Sequence, residues 1–79
     1  MAKPRTARFQ HPAISLAVNG KPYSHRGDGT LAALLAELGL TGKPLAVLVN
    51  DQVVGARRRR SLKLRDGDRV EMLTFAGGG

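Results

Sequence analysis

A two-layer α+β domain, with one helix laid across one face of a small sheet, is the fold this sequence predicts. Three observations predict it. An apolar-alternating segment is followed by Asn19-Gly20, a strong two-residue hairpin signal. Leucines at 31, 34, 35 and 38 place one apolar stripe on a single helix. Two further apolar segments, 45–49 and 69–75, are bounded by turn residues. A hairpin, one helix and a later set of strands pack as helix on sheet. The chain has 79 residues, so it forms one small domain that buries only about 60% of its unfolded surface.

Taken in order, Ile14 to Val18 alternates large apolar with small residues and reads as a half-buried strand. Lys21 to His25 is the returning strand, and Pro22 marks an edge or a strand start. Gly27-Asp28-Gly29 is a turn, after which Thr30 caps a helix running to Leu38. Three alanines support that helix without adding bulk, and Gly39 is placed to end it in the left-handed conformation. Leu45 to Val49 is continuously apolar and too short for a helix, so it reads as a central strand covered on both faces. Asn50-Asp51 turns into a short strand at Gln52 to Val54. Arg57 to Arg60 interrupts, Asp66-Gly67-Asp68 is another turn, and Arg69 to Phe75 is the last strand. In that strand Val70, Met72 and Thr74 share one face, and Glu71, Leu73 and Phe75 share the other. The helix covers one face only, so Leu73 and Phe75 form a candidate docking patch on the other.

Few residues here can do chemistry alone. Cysteine is absent, which excludes a disulfide scaffold, a thiolate metal site and a cysteine nucleophile. Tryptophan is absent and aromatics are 4%, so stacking platforms for single-stranded nucleic acid are scarce. His11 and His25 are isolated and read as ordinary surface residues, and no metal site is expected. Asp66 and Asp68 fit a tight turn better than an acid–base pair. The Gly27-Asp28-Gly29 stretch lacks the lysine and spacing of a phosphate-binding loop. No catalytic residue is assigned.

The charge is lopsided, with 13 Lys and Arg against 6 acids and a net of +7. Residues 1–13 hold Lys3, Arg5 and Arg8 with two prolines and no apolar periodicity, and are expected to be a flexible basic arm. They carry no secretory signal pattern, and no segment approaches the roughly 20 apolar residues that cross a bilayer; the expected location is the cytoplasm. Arg57, Arg58, Arg59 and Arg60 are candidates for contact with a polyanion or an acidic partner. The alternative is a solvated loop whose charge deters edge-to-edge association.

The sequence closes on Gly77-Gly78-Gly79 after an apolar strand. The domain proper is expected over 14–75, with 76–79 as a flexible glycine tail. A carboxylate on bare glycines is unhindered, and with no Cβ atoms it can thread a narrow channel in an enzyme. Adenylation with ATP would make it electrophilic, and a sulfur nucleophile or an amine could then take the acyl group. On that reading Gly79 is the chemical handle, Gly77 and Gly78 thread the channel, and the catalytic groups belong to partners.

From Ile14 to Gly79 the chain resembles the ubiquitin-like sulfur carriers, and most closely the ThiS-type family of thiamin biosynthesis. The residues that carry the resemblance are Val18-Asn19-Gly20, Thr30-Leu31 with Leu34-Leu35 and Leu38, Val49-Asn50 with Val53-Val54, Asp66-Gly67-Asp68-Arg69-Val70-Glu71, and the closing glycines. The resemblance implies a β-grasp fold, a mixed four- to five-stranded sheet with one main helix. It implies a non-enzyme carrier with no bound cofactor, whose Gly79 is adenylated by an ATP-dependent ThiF-type enzyme and converted to a thiocarboxylate. A cysteine desulfurase or similar donor would supply the sulfur, and thiazole synthase would consume it. Docking through the open sheet face would fall on Leu73 and Phe75. The chain departs from the family in its basic arm and in Arg57 to Arg60. Alternatives are a carrier for molybdopterin or cysteine synthesis, a ubiquitin-like modifier, or a basic nucleic-acid-binding module.

Overall fold

The computed structural model describes residues 13–74. The expected arm up to residue 12, Phe75 and the glycine tail lie outside the described residues.

Strand β1 (Ile14–Val18) and strand β2 (Lys21–His25) form the expected hairpin. Asn19 at φ 50° and Gly20 at φ 84° both take the positive φ that a tight turn matching the strand twist requires. Helix α1 (Leu31–Glu37) begins where Thr30 Oγ1 accepts from the Ala33 N–H at 3.1 Å. A cap of this kind contributes about 1 kcal/mol. The helix stops at the Leu38 cap, one residue short of the expected end. Gly39, at φ 74°, turns the chain so that the Leu40 N–H reaches the Leu35 carbonyl at 2.8 Å.

Strand β3 (Leu45–Val49) and strand β4 (Gln52–Val53) are joined by Asn50 and Asp51, both at positive φ. Strand β4 ends one residue before the expected Val54, whose N–H still bonds the Val47 carbonyl at 2.9 Å. A 3-10 helix (Ala56–Arg60) takes the place of the expected loop at the arginine run. Strand β5 (Arg69–Thr74) closes the domain.

The five strands lie in the order β2-β1-β5-β3-β4. The β1–β5 pair is parallel and the other pairs are antiparallel. The last strand therefore occupies the centre of the sheet. Strand β3 was expected to be central and covered on both faces; it does lie inside the sheet, between β5 and β4, but only one of its faces is covered. Leu45 and Val47 are buried under the helix, whereas Ala46 and Leu48 point to the opposite face and are only half-buried. A continuous apolar run does not report coverage when a small residue and an edge-side neighbour leave one face thinly packed.

The core is one layer thick. Leu31, Leu34 and Leu35 of α1 pack against Leu16, Leu45, Val47, Val70 and Met72, with Val54 and Leu64 closing the sides. Leu31, Leu34, Val47 and Val70 are fully buried, and each such side chain contributes about 1.5–3 kcal/mol. The segment 62–64 is tied to the start of the helix: Leu31 N–H bonds the Leu62 carbonyl at 3.0 Å and Leu64 N–H bonds the Gly29 carbonyl at 2.7 Å.

Candidate functional site

The site is the open face of the sheet together with the end of β5. Its position depends on two asparagines. In the β1–β2 turn, the Asn19 N–H donates to the Val70 carbonyl at 2.8 Å and its Oδ1 accepts from the Met72 N–H at 2.7 Å. In the β3–β4 turn, the Asn50 N–H donates to the Arg69 carbonyl at 2.8 Å and its Oδ1 accepts from the Arg69 N–H at 2.9 Å. Asn50 Nδ2 also donates to Asp68 Oδ1 at 2.9 Å. The first asparagine binds β5 from the β1 side and the second from the β3 side. Beyond Met72 the strand pairs only with β3, through Leu73–Ala46 and Thr74–Leu45. The strand thus leaves its tightly held half and runs out along β3 directly before residues 75–79.

Alternation sorts the open face. Ser15 and Ala17 of β1, Glu71 and Leu73 of β5, Ala46 and Leu48 of β3 and Val53 of β4 share it. Leu73 is 59% exposed and Val53 is 72% exposed. With Ala46 and Leu48 between them they form an apolar stretch crossing β5, β3 and β4. The expected outward placement of Leu73 therefore holds. Its expected companion Phe75 lies outside the described residues, as do Gly77, Gly78 and Gly79.

The 3-10 helix divides the four arginines. Arg59 turns inward, and its Nη2 donates to the Leu45 carbonyl at 3.1 Å, opposite Thr74 in the register. Arg57, Arg58 and Arg60 are exposed. The run is thus one structural arginine and three available cations. Nothing in the string of four identical side chains distinguished Arg59 from its neighbours.

His25 was expected at the surface, and it is fully buried. Its register partner is Ile14, which puts the ring on the helix side of the sheet. Nδ1 donates to Glu37 Oε1 at 3.0 Å, while Nε2 accepts from the Gly29 N–H at 3.2 Å. Counting residues outward from the Asn19-Gly20 turn would have revealed this placement, because positions 14 and 25 face each other in a two-residue hairpin. Glu37 also accepts from the Tyr23 hydroxyl at 2.9 Å and from the Arg26 N–H at 3.2 Å. Burial pushes the Glu37 carboxyl up, but the bonds from His25, Tyr23 and Arg26 outweigh it and hold the group below its ordinary value. The bond to Glu37, with some burial, pushes the Tyr23 phenol up. Asp66 and Asp68 are turn residues as expected: Asp66 Oδ1 accepts from the Ser15 N–H at 2.9 Å and Asp68 Oδ2 from the Arg65 N–H at 2.8 Å.

Among the described residues no three His, Cys, Asp or Glu side chains gather into a group that could hold a metal ion, and no helix is long and apolar enough to cross a membrane. The strand order, the single covering helix and the open face with its outgoing β5 define a β-grasp domain of the ubiquitin-like kind. The ThiS family profile matches residues 16–79. Among proteins of known name, the sulfur carrier protein ThiS of Bacillus subtilis is 37% identical over 65 residues, covering 81% of this chain and 98% of that one. A thiazole synthase of Paramagnetospirillum magneticum is 33% identical over 66 residues; these are 84% of this chain but only 20% of that protein's length. The crystal structure of the thiamine biosynthesis protein ThiS from Geobacter metallireducens superposes with a TM-score of 0.69 at 33% identity, covering 84% of this chain and all of that one. The chain belongs to the ThiS family, the sulfur-carrier proteins of thiamin biosynthesis.

Proposed function

We propose that this chain carries sulfur on the Gly79 carboxylate and delivers it for construction of the thiazole ring of thiamin. The observation that carries this reading is the family match, which continues through the glycines that follow β5. The protein's own residues supply a handle and a docking surface, and the catalytic groups come from partners. The Gly79 carboxylate attacks the α-phosphate of ATP on a ThiF-type activating enzyme, with pyrophosphate leaving. A sulfide-level nucleophile supplied through a cysteine desulfurase or another donor then attacks the acyl carbon, forming the C–S bond as AMP leaves. The product is a thiocarboxylate, and thiazole synthase takes its sulfur. ATP is a substrate of the activating enzyme, and the reaction belongs in the cytoplasm.

The geometry supports the sequence of docking before transfer. Leu73 is exposed on the open face and stands six residues before Gly79 in the sequence, so a partner that covers this face is close along the chain to the reacting carboxylate. Gly77 and Gly78, lacking Cβ atoms, let that tail lie in a narrow channel. A stretch similar to this chain forms a fifth of a thiazole synthase, which supports thiazole synthase as a partner.

The test is intact-mass spectrometry of the full chain after incubation with the activating enzyme, ATP and a sulfur source. The expected product is heavier by the exchange of one oxygen for one sulfur at the C-terminus. No exchange, with an activating enzyme shown to charge another carrier, rejects the reading. Deletion of the gene separates the alternatives: thiamin or its thiazole restores growth here, and would not rescue a carrier of molybdopterin or cysteine synthesis.

A further inference from the structure

A groove lies beside β4, reaching from Val49 at the end of β3 to the segment 62–65. Val53 and Leu62 supply apolar surface in it, and Arg58, Lys63 and Arg65 stand around them. The three cations come from the 3-10 helix and from the segment leading to the Asp66-Gly67-Asp68 turn, so the fold, not the arginine run, brings them together. None of the three makes an ion pair with another described residue. Asp68 lies in the same groove and accepts from Asn50 Nδ2 and the Arg65 N–H, so one negative side chain stands among three positive ones.

The edge of β4 adds a directional element. Leu48 and Val53 face each other one step from the Val49–Gln52 pair that closes the two-residue turn. In an antiparallel ladder this is a pair whose backbone groups do not bond each other, so the Val53 N–H and carbonyl point away from β3, along the free edge of β4. An extended chain laid there meets a backbone donor, a backbone acceptor and an apolar patch flanked by positive charge.

We propose that this groove docks an extended acidic segment of a partner protein, with an apolar side chain seated against Val53 and Leu62 and carboxylates facing Arg58, Lys63 and Arg65. A protein segment fits better than a nucleic acid. No aromatic side chain lines the groove to stack on a base. The apolar surface between the cations has no use for a phosphate backbone, whereas apolar cores with arginine are typical of protein interfaces. The site lies beyond the carrier reading: it involves neither Gly79 nor Leu73 and shares only Val53 with the open-face apolar stretch.

The test is titration of the isotope-labelled full chain, followed by its amide NMR spectrum, with a short peptide of alternating glutamate and leucine. The controls are the same peptide with serine for leucine and a thymidine oligonucleotide. Saturable shifts are expected at Val53, Arg58, Leu62, Lys63 and Arg65. Arg58→Glu combined with Lys63→Glu should weaken the glutamate–leucine peptide by about tenfold or more, as removal of complementary charge does. Arg65→Ser, on a different segment, should also weaken it and provides an independent measurement if the double reversal disturbs the spectrum. Equal binding of the serine peptide, tighter binding of the oligonucleotide, or shifts centred on Leu73 would overturn the proposal.

Discussion

The two faces of the sheet are made by the same strands and behave oppositely. On the helix side, Leu16, Leu45, Val47, Val70 and Met72 are buried. One residue further along the same strands, Ser15, Ala46, Glu71 and Leu73 lie on the other side, and Glu71 and Leu73 are exposed. The first face specifies the fold, because its side chains gain their contacts within the molecule. The second contributes little to holding the chain together and retains apolar surface for something else. In a domain this small, one face is enough to fold on, and the other is left free to bind.

The comparison breaks most sharply at the helix. Leu34→Ala should cost about 2–5 kcal/mol by removing a fully buried side chain from a thin core. Urea denaturation of the purified chain measures this, and a loss below 1 kcal/mol, by the same scale, would mean that the helix layer is not the stabilising one. His25→Ala tests the polar corner of the covered face. It leaves the Gly29 N–H without its acceptor and opens space beneath the loop, and should cost about 2–4 kcal/mol.

The turns that hold β5 come next. Asn19→Ala removes the acceptor of the Met72 N–H and puts alanine at a φ of 50°, with an expected loss of about 1–2 kcal/mol. Hydrogen exchange at the Met72 amide should rise more than at Val47; equal rises would show that Asn19 does not anchor β5 locally.

Glu37→Gln is a smaller effect with a pH signature. The folded carboxyl lies below its ordinary value. Its stabilisation is therefore present above the unfolded value, near 4.3, and is lost as pH falls through the folded one. The wild-type chain should lose stability on acidification more steeply than the variant. Parallel pH curves for the two proteins would remove Glu37 from the account. Tyr23 works at the other end: because its phenol is pushed up, stability falls as pH rises above about 10, where the unfolded chain ionises first.

Least of all for stability is Leu73→Asp, expected to shift unfolding by no more than about 0.5 kcal/mol. If the proposed docking on the open face is right, this change should nonetheless weaken binding to a ThiF-type activating enzyme, measured by calorimetry. A variant as unstable as Leu34→Ala would erase the distinction between the two faces.

Much of this was legible beforehand because the signals are local. Asn19-Gly20 and Asn50-Asp51 were read as turns, and both have the positive φ values that asparagine, aspartate and glycine tolerate. The leucine spacing marked the helix stripe, and alternation put Leu73 opposite Val70 and Met72. The errors came where the needed information is not local. His25 was read as a surface side chain because its polarity said so, while its register said otherwise. The Leu45–Val49 strand was read as doubly covered because its composition does not show how many layers surround it.

What the sequence by itself determined is the five strands and the main helix, with their ends to within about a residue but without the 3-10 helix, since turn chemistry and side-chain periodicity act within a few residues. Only the tertiary structure decided that the last strand enters the middle of the sheet, that Arg59 turns toward Leu45 while its neighbours face water, and that Arg58 meets Lys63 and Arg65 in one groove. Those outcomes depend on pairings between residues far apart in the chain. Such pairings are chosen by burying the largest apolar surface with every backbone group bonded, a condition that no short stretch of sequence carries alone.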